Sequence, residues 1–404
     1  MRITKGLVSS VFGLLTPLSF NFGLVRIASK MSEFYAGEFL LDEYLEISLW
    51  AAFLQVCFYF GGNEFFPYLA LNKESREKSE AIIHNVKISL ILFFVALIIL
   101  VVIASFMSDL YIPLVLVILM MNIRTFIHYV LSSTGSYERD FRTMIIDWLL
   151  FMILFIAQDV GLISVWPAII CLVITGILTT SVQAYNFRSS LINVKSDKVS
   201  LSVPNSRFSY FYKELMAWLT GNGELFLLLY VLDLESEAFV EYNLLMRISI
   251  FLIIPVRLLN KNVTVSVLEV EEDKRFNYLR KAQIYSMILI LVLYLFLILA
   301  APFLLHYFSA IEDYEITLFS LIVLSLPVVR SFYTWNIYFN LRGANHLLNI
   351  MRSITPIISI LLMFLLSKYY DVMGLASASL ISGVTSLLML LFVEKRYFKT
   401  VFFE

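Results

Sequence analysis

Residues 240–258 read VEYNLLMRISIFLIIPVRL. From Asn243 to Val256 the run is apolar enough for hydrocarbon, yet Arg247 stands inside it. An arginine at the bilayer centre costs about 2.5–3.5 kcal/mol on insertion scales. The stretch therefore makes sense only if the rest of the chain builds a membrane interior in which such a cation is useful.

Composition sets the class. Of 404 residues, 60% are hydrophobic and 15% charged, and the mean hydropathy is +0.84. Soluble domains are about 45–50% apolar and about 25% charged, so this is an integral membrane protein. The net charge of −1 offers nothing to nucleic acid. Cys57 and Cys171 lie in apolar runs, which excludes a disulfide framework and a cysteine zinc site, and the four histidines lack metal-ligand spacing. The first apolar run, Gly6 to Ala28, is long enough to span and carries no convincing cleavage site.

A bilayer core of about 30 Å needs about 20 apolar residues per helix. Twelve candidate spans follow: 6–29, 44–70, 86–107, 111–134, 142–158, 161–187, 211–232, 241–262, 282–305, 315–340, 347–367 and 372–394. With the N-terminus inside, the inward segments collect 24 of the 30 basic residues and the outward loops only Lys30 and Lys368. The outward side is acidic instead, as in SEFYAGEFLLDEYLE (32–46), DLESEAFVE (233–241) and IEDYE (311–315). This alternation obeys the positive-inside rule. It predicts a multi-pass membrane protein with both termini in the cytoplasm.

Two self-matches point to a duplication. NIRTF (122–126) resembles VVRSF (328–332), and DEYLEIS (42–48) resembles VEYNLLM (240–246), displaced by 206 and 198 residues. The expected fold is all-α, with about twelve helices in two six-helix lobes related by a pseudo-two-fold axis along the membrane normal. The lobes would be 1–187 and 211–404, joined by a polar, basic cytoplasmic linker, 188–210. Transporters of this plan hold their cargo near the midplane.

Four basic residues remain, assigned to neither side: Arg26, Arg124, Arg247 and Arg330. At 1.5 Å per residue, Arg124 and Arg330 fall about 20 Å from the outer ends of their spans, and Arg247 about 9 Å from its own. Arg26 is nearer the outer surface and reads either as an interfacial anchor or as a cargo ligand. Arg124 and Arg330 sit at matching places in the two halves; they would bind cargo or form ion pairs with Asp147 or Glu224. Of the acids inside spans, Glu224 is about 16 Å along its helix from Lys213, whereas Asp147 and Glu64 lie near the cytoplasmic side. Glu224 and Asp147 are the candidates for carrying a coupling proton or sodium ion, or for neutralising an arginine. Guanidinium engages phosphate with two parallel donors, so a cavity lined by Arg26, Arg124, Arg247 and Arg330 suits an anionic cargo. No Walker A sequence, metal-ligand cluster or Ser/His/Asp arrangement suggests that it is hydrolysed; neither an enzyme nor a bound cofactor is expected.

The C-terminal half carries a resemblance. GNGELFLLLYVL (221–232), YNLLMRISIFLIIPVRLLN (242–260) and NLRGANHLLNIMRSITPIISILLMFLLSKYYDVMGLASASLISGVTSLLMLLF (340–392) resemble the polysaccharide-transport flippases. These are the O-antigen and capsule-type members of the superfamily that also contains the multidrug and toxin extrusion transporters. The family's glycine-alanine turn between the last two spans is matched by Gly374, Ala376 and Ala378, with Asp371 in place of its first glycine. RGANH (342–346) and an acid early in the seventh span, here Glu224, also match. The first half departs more.

The resemblance implies a flippase. It would move undecaprenyl-pyrophosphate-linked oligosaccharide to the outer leaflet for lipopolysaccharide O-antigen or capsule synthesis, by alternating access. Membrane lipids, a polysaccharide polymerase and a chain-length regulator are the implied partners. An ion-coupled exporter of drugs or metabolites with the same fold is the alternative, for which an acidic cavity would be expected. A membrane polymerase or glycosyltransferase is the second; the longest outward loop, 29–43, is short for one.

Overall fold

The computed structural model describes residues 23–30, 41–60, 75–106, 112–133, 137–191, 205–230, 239–249, 251, 252, 263, 267, 270, 271, 274–309, 315–330 and 345–402. Among them the secondary structure is helix and short turns, with no strand. We number the helices α1 (23–30), α2 (Leu41–Tyr59), α3 (Ser75–Ser105), α4 (Ile112–Ser133), α5 (Tyr137–Asp159), α6 (Val165–Leu191), α7 (Asn205–Tyr230), α8 (239–249), α9 (Arg275–Ser309) and α10 (Leu318–Arg330). The remaining helical stretch, Asn345–Phe402, is broken at Asp371 (φ 49°, ψ −131°) into α11 before it and α12 after it.

Local sequence explains the ends. Asp42 and Glu43 put negative charge at the N-terminus of α2, where the helix dipole favours it. Thr317 and Ser320 cap α10 reciprocally: Thr317 Oγ1 accepts from the Ser320 amide at 3.2 Å, and Ser320 Oγ accepts from the Thr317 amide at 3.0 Å. Between α5 and α6 the chain turns at Gly161 with φ +78°, a conformation that suits glycine. The α11–α12 turn is tighter. A Cβ on Gly374 would lie 2.2 Å from the Leu366 carbonyl oxygen, so the chain can double back there only with glycine. Ser382 Oγ donates to Thr355 O at 3.1 Å, fastening the two arms of that hairpin.

Apolar side chains lie outside as well as inside. On α9 the buried positions include Leu279, Gln283, Ser286, Ile290 and Leu297, while Ile288, Leu291, Leu295, Phe296 and Phe303 are exposed. On α3, Phe93, Ala96 and Leu100 are buried and Ile91, Phe94, Val95 and Ile98 exposed. Large apolar side chains on the outward faces are what a hydrocarbon solvent accepts. Among the described residues four stretches are long and apolar enough to cross a membrane: Val86–Ile103, Val165–Val182, Asn277–Tyr307 and Ser353–Met389. The last runs through the bend at Asp371.

The chain divides into two compact units, Met1–Leu215 and Met216–Glu404. In the first, α2 packs on α3 and α4, and α6 packs on α4 and α5. Tyr59 Oη, at the end of α2, donates to Asn122 O of α4 at 2.9 Å. In the second, α10 packs on α9 and on the α11–α12 hairpin, and Tyr294 Oη of α9 donates to Leu321 O of α10 at 3.0 Å. Residues 205–210, which the sequence reading gives to the linker, form the first turns of α7. The rest of the linker from 192 to 204, together with Glu64 and residues 342–344 of the RGANH turn, lies outside the described residues.

Candidate functional site: a polar cluster on α7 and α8

Helix α7 brings Glu224 into the interior of the second unit, where only 1% of its surface is exposed. A carboxylate in that setting needs a donor, and α8 supplies one: Tyr242 Oη donates to Glu224 Oε2. Tyr242 is itself fully buried and packs its ring against Phe319 of α10, centroids 5.8 Å apart. One residue further along α8, Asn243 is 2% exposed and accepts through Oδ1 from Arg247 Nε at 2.8 Å. The four-residue spacing places the amide and the guanidinium one above the other on a single helix face. Beside Glu224 the face of α7 is cut away, since an added Cβ on Gly221 would meet nothing within 4 Å among the described residues. Acid, phenol, amide and guanidinium are thus gathered by two consecutive helices next to small-residue space.

Arg26 sits differently. Its Nε lies 3.3 Å from Asp159 Oδ1, and Lys30 Nζ reaches the same oxygen at 3.0 Å and the Asp159 carbonyl at 3.1 Å. Two cations therefore share one carboxylate, joining the end of α1 to the end of α5. These ends lie on one side of the membrane in the twelve-span reading. Sequence reasoning left Arg26 between interfacial anchor and cargo ligand and gave it no partner; the structure gives it Asp159. Arg124, Asp147 and Arg330 belong to α4, α5 and α10 respectively, and their side chains, like that of His128, lie outside the described residues. The structure thus brings Glu224 and Arg247 onto neighbouring helices and places Arg26 in the other unit.

Three residues escape the sequence reading. Tyr242 and Asn243 carry no charge and so do not register as costly in a membrane, although their position in the YNxxxR pattern could have signalled a helical face. Lys213 is counted among the cytoplasmic basic residues but is 1% exposed, its ammonium 4.8 Å from the centre of the Tyr210 ring. Such a cation–π contact partly replaces lost hydration. Among the described residues no three His, Cys, Asp or Glu side chains converge as metal ligands.

No family model matches the chain. No curated protein is similar to it either. Solved structures are. A MATE structure in complex with MaD5 is 15% identical, with a TM-score of 0.65, covering 98% of this chain and 95% of that one. An outward-facing multidrug resistance MATE family transporter of the MOP superfamily is also 15% identical, with a TM-score of 0.62 and the same coverages. A MOP superfamily transporter from Pyrococcus furiosus is 14% identical, with a TM-score of 0.63 and again 98% and 95% coverage; the reverse polarity of its binding pocket is described as suggesting a different function. Over essentially its whole length, then, this multi-pass membrane protein has the all-α, twelve-helix, two-lobed fold of MATE-type transporters of the MOP superfamily.

Proposed function

We propose that the chain is a flippase for an amphipathic anionic cargo, namely undecaprenyl-pyrophosphate-linked oligosaccharide, moved outward by alternating access during surface polysaccharide synthesis. The observation that carries this reading is the membrane arginine Arg247, whose described hydrogen-bond partner on α8 is the neutral amide of Asn243. An amide is a neutral partner that orients the guanidinium, and a bidentate cation suits phosphate. Arg124 and Arg330 are proposed to serve the same cargo elsewhere on its path, and Arg26 to do so only in exchange with Asp159. Glu224, and secondarily Asp147, are proposed to carry the coupling proton or sodium ion. No cofactor enters the scheme. A polysaccharide polymerase and a chain-length regulator are the proposed protein partners.

The exporter reading has its own support. The transporters of like fold include one named for multidrug resistance, and Glu224 lies on the helix where Trp218 and Phe226 pack ring to ring at 5.3 Å. A buried carboxylate near aromatic rings suits an organic cation. At the level of the comparisons this reading is the better supported; the arginine chemistry favours the flippase. An enzyme reading has no counterpart among the folds reported. The two transport readings separate in one experiment: the chain is expressed in a strain lacking its own flippase and in one lacking its drug exporters. Surface appearance of the lipid-linked glycan without dye efflux is expected; dye efflux without glycan would select the exporter.

Orientation is proposed as both termini cytoplasmic in a bacterial inner membrane. A cysteine at Ser236 is expected to be labelled from outside intact cells and one at Ser196 is not; labelling at Ser196 alone would invert the topology.

A further inference from the structure

Asn243 holds Arg247, but that contact uses only half of its amide. Arginine has donors and no acceptor, so Oδ1 and not Nδ2 must face Arg247 Nε, and the amide cannot be flipped. Nδ2 then points elsewhere with two N–H donors. It is buried and has no hydrogen-bond partner among the described residues. Native interiors retain few such groups, because an unmade bond forfeits the water that was stripped away.

Folding does not require the amide at this place. At the 198-residue displacement Asn243 corresponds to Leu45 and Arg247 to Leu49. Leu45 is as buried as Asn243, so this register on the equivalent helix is filled by plain apolar packing. Nor is Asn243 the natural residue for neutralising a guanidinium. The chain uses a carboxylate for that purpose at Asp159 beside Arg26, and an aspartate at 243 would do the same. What asparagine adds over aspartate is donors, and what it preserves is the positive charge.

We infer that Asn243 is a specificity-determining residue: it positions Arg247 and contributes its own Nδ2 donors to a subsite for an oxyanion, of the phosphate or pyrophosphate class. This rests on the anionic-cargo reading above and assigns a new residue to it. The oxyanion is carried either by the cargo's pyrophosphate or by a bilayer lipid headgroup, and the test separates the two.

The purified full-length protein is heated with inorganic pyrophosphate, or with short-chain phosphatidylglycerol, against sodium chloride at equal ionic strength. A ligand that binds the folded state raises the unfolding temperature. Wild type is expected to be protected by one probe, which identifies the source. Asn243→Asp keeps and strengthens the bond to Arg247 but replaces the donors with acceptors. Its half-saturation should weaken about ten-fold or more, as expected for a bond to a charged group, with its unfolding temperature in chloride unchanged or higher. A role confined to holding Arg247 in place would leave that protection intact. Asn243→Leu, the residue of the first half, should fold and also lose protection; it decides the matter if Asn243→Asp does not fold. Wild-type protection retained in the folded variants, or no protection of wild type by either probe, overturns the subsite. The glycan assay fails separately: protection lost in the variants while wild type moves no glycan keeps the subsite and removes the flippase. Glycan moved by a protein whose variants keep full protection does the reverse.

Discussion

The first two helices of each half can be laid side by side. At a displacement of 198 residues, Tyr44, Leu45, Ile47 and Ala51 of α2 fall on Tyr242, Asn243, Leu245 and Ser249 of α8, and every one of these is buried. The same displacement sets Gly23 of α1 on Gly221 of α7, and Arg26 on Glu224. Against this shared register the contents diverge. A Cβ on Gly23 would lie 2.3 Å from Phe151 Cζ, whose ring stacks on Phe155, whereas Gly221 has nothing within 4 Å among the described residues. Leu45 and Leu49 are apolar where Asn243 and Arg247 are polar. Arg26 meets a carboxylate on α5, and Glu224 meets a phenol on α8. One copy fills this face with aromatics and a cluster of two cations on one carboxylate; the other holds it by hydrogen bonds, with nothing against Gly221 among the described residues. Burial register is thus shared by the two copies, and polarity within that register is what separates them.

The comparison can be broken most severely at Arg247. Arg247→Ala is expected to lower transport more than about ten-fold at unchanged protein level, while Arg247→Lys, which keeps charge but loses the fork, retains part of it. Full surface glycan in the alanine variant would mean that the second half is no more functional here than the first. The glycines come next. Gly23→Ala should cost about 1–3 kcal/mol, the usual range for overpacking, read as a lower unfolding temperature. Gly221→Ala should be neutral or stabilising by up to about 1 kcal/mol, since alanine is the better helix former. Equal destabilisation by both would show that the space beside Gly221 is filled.

Asp159→Asn leaves Arg26 and Lys30 without their shared carboxylate and should cost about 1–2 kcal/mol, between the values for exposed and buried pairs, read as a lower unfolding temperature. The turns give a smaller effect. Gly161 takes a positive φ between α5 and α6, and Asp371 takes one between α11 and α12. A non-glycine residue held there is strained by about 1–3 kcal/mol. Asp371→Gly should therefore raise the unfolding temperature, by the equivalent of about 1 kcal/mol once the added freedom of the unfolded chain is subtracted. Smallest of all, Arg257→Lys, at the cytoplasmic edge of span eight, should change neither level nor transport.

Legibility followed the physics of each signal. Membrane class and helix count come from summed apolarity and from the sidedness of basic residues, which are additive along a chain and need no partner to be known. Glu224 and Arg247 stood out because a charge in hydrocarbon is costly wherever its neighbours lie. Arg26 stood out for the same reason, but its meaning depended on Asp159, 133 residues away, and separation in sequence carries no information about such a meeting. Lys213 was counted on the cytoplasmic side; sidedness says nothing of burial, and only packing against Tyr210 shows that its side chain is enclosed.

By itself, then, the sequence determined that this is a twelve-span helical protein with a repeated plan and charges in costly places, because hydropathy, basic-residue bias and helical rise are local or additive quantities. Tertiary structure decided which charges are matched and which side chains around them matter. It paired Arg26 with Asp159, set Tyr242 on Glu224, and buried the Asn243 amide nitrogen with no hydrogen-bond partner among the described residues. Those outcomes depend on distances between helices, and a neutral asparagine or tyrosine reveals its cost only after the water around it has been removed.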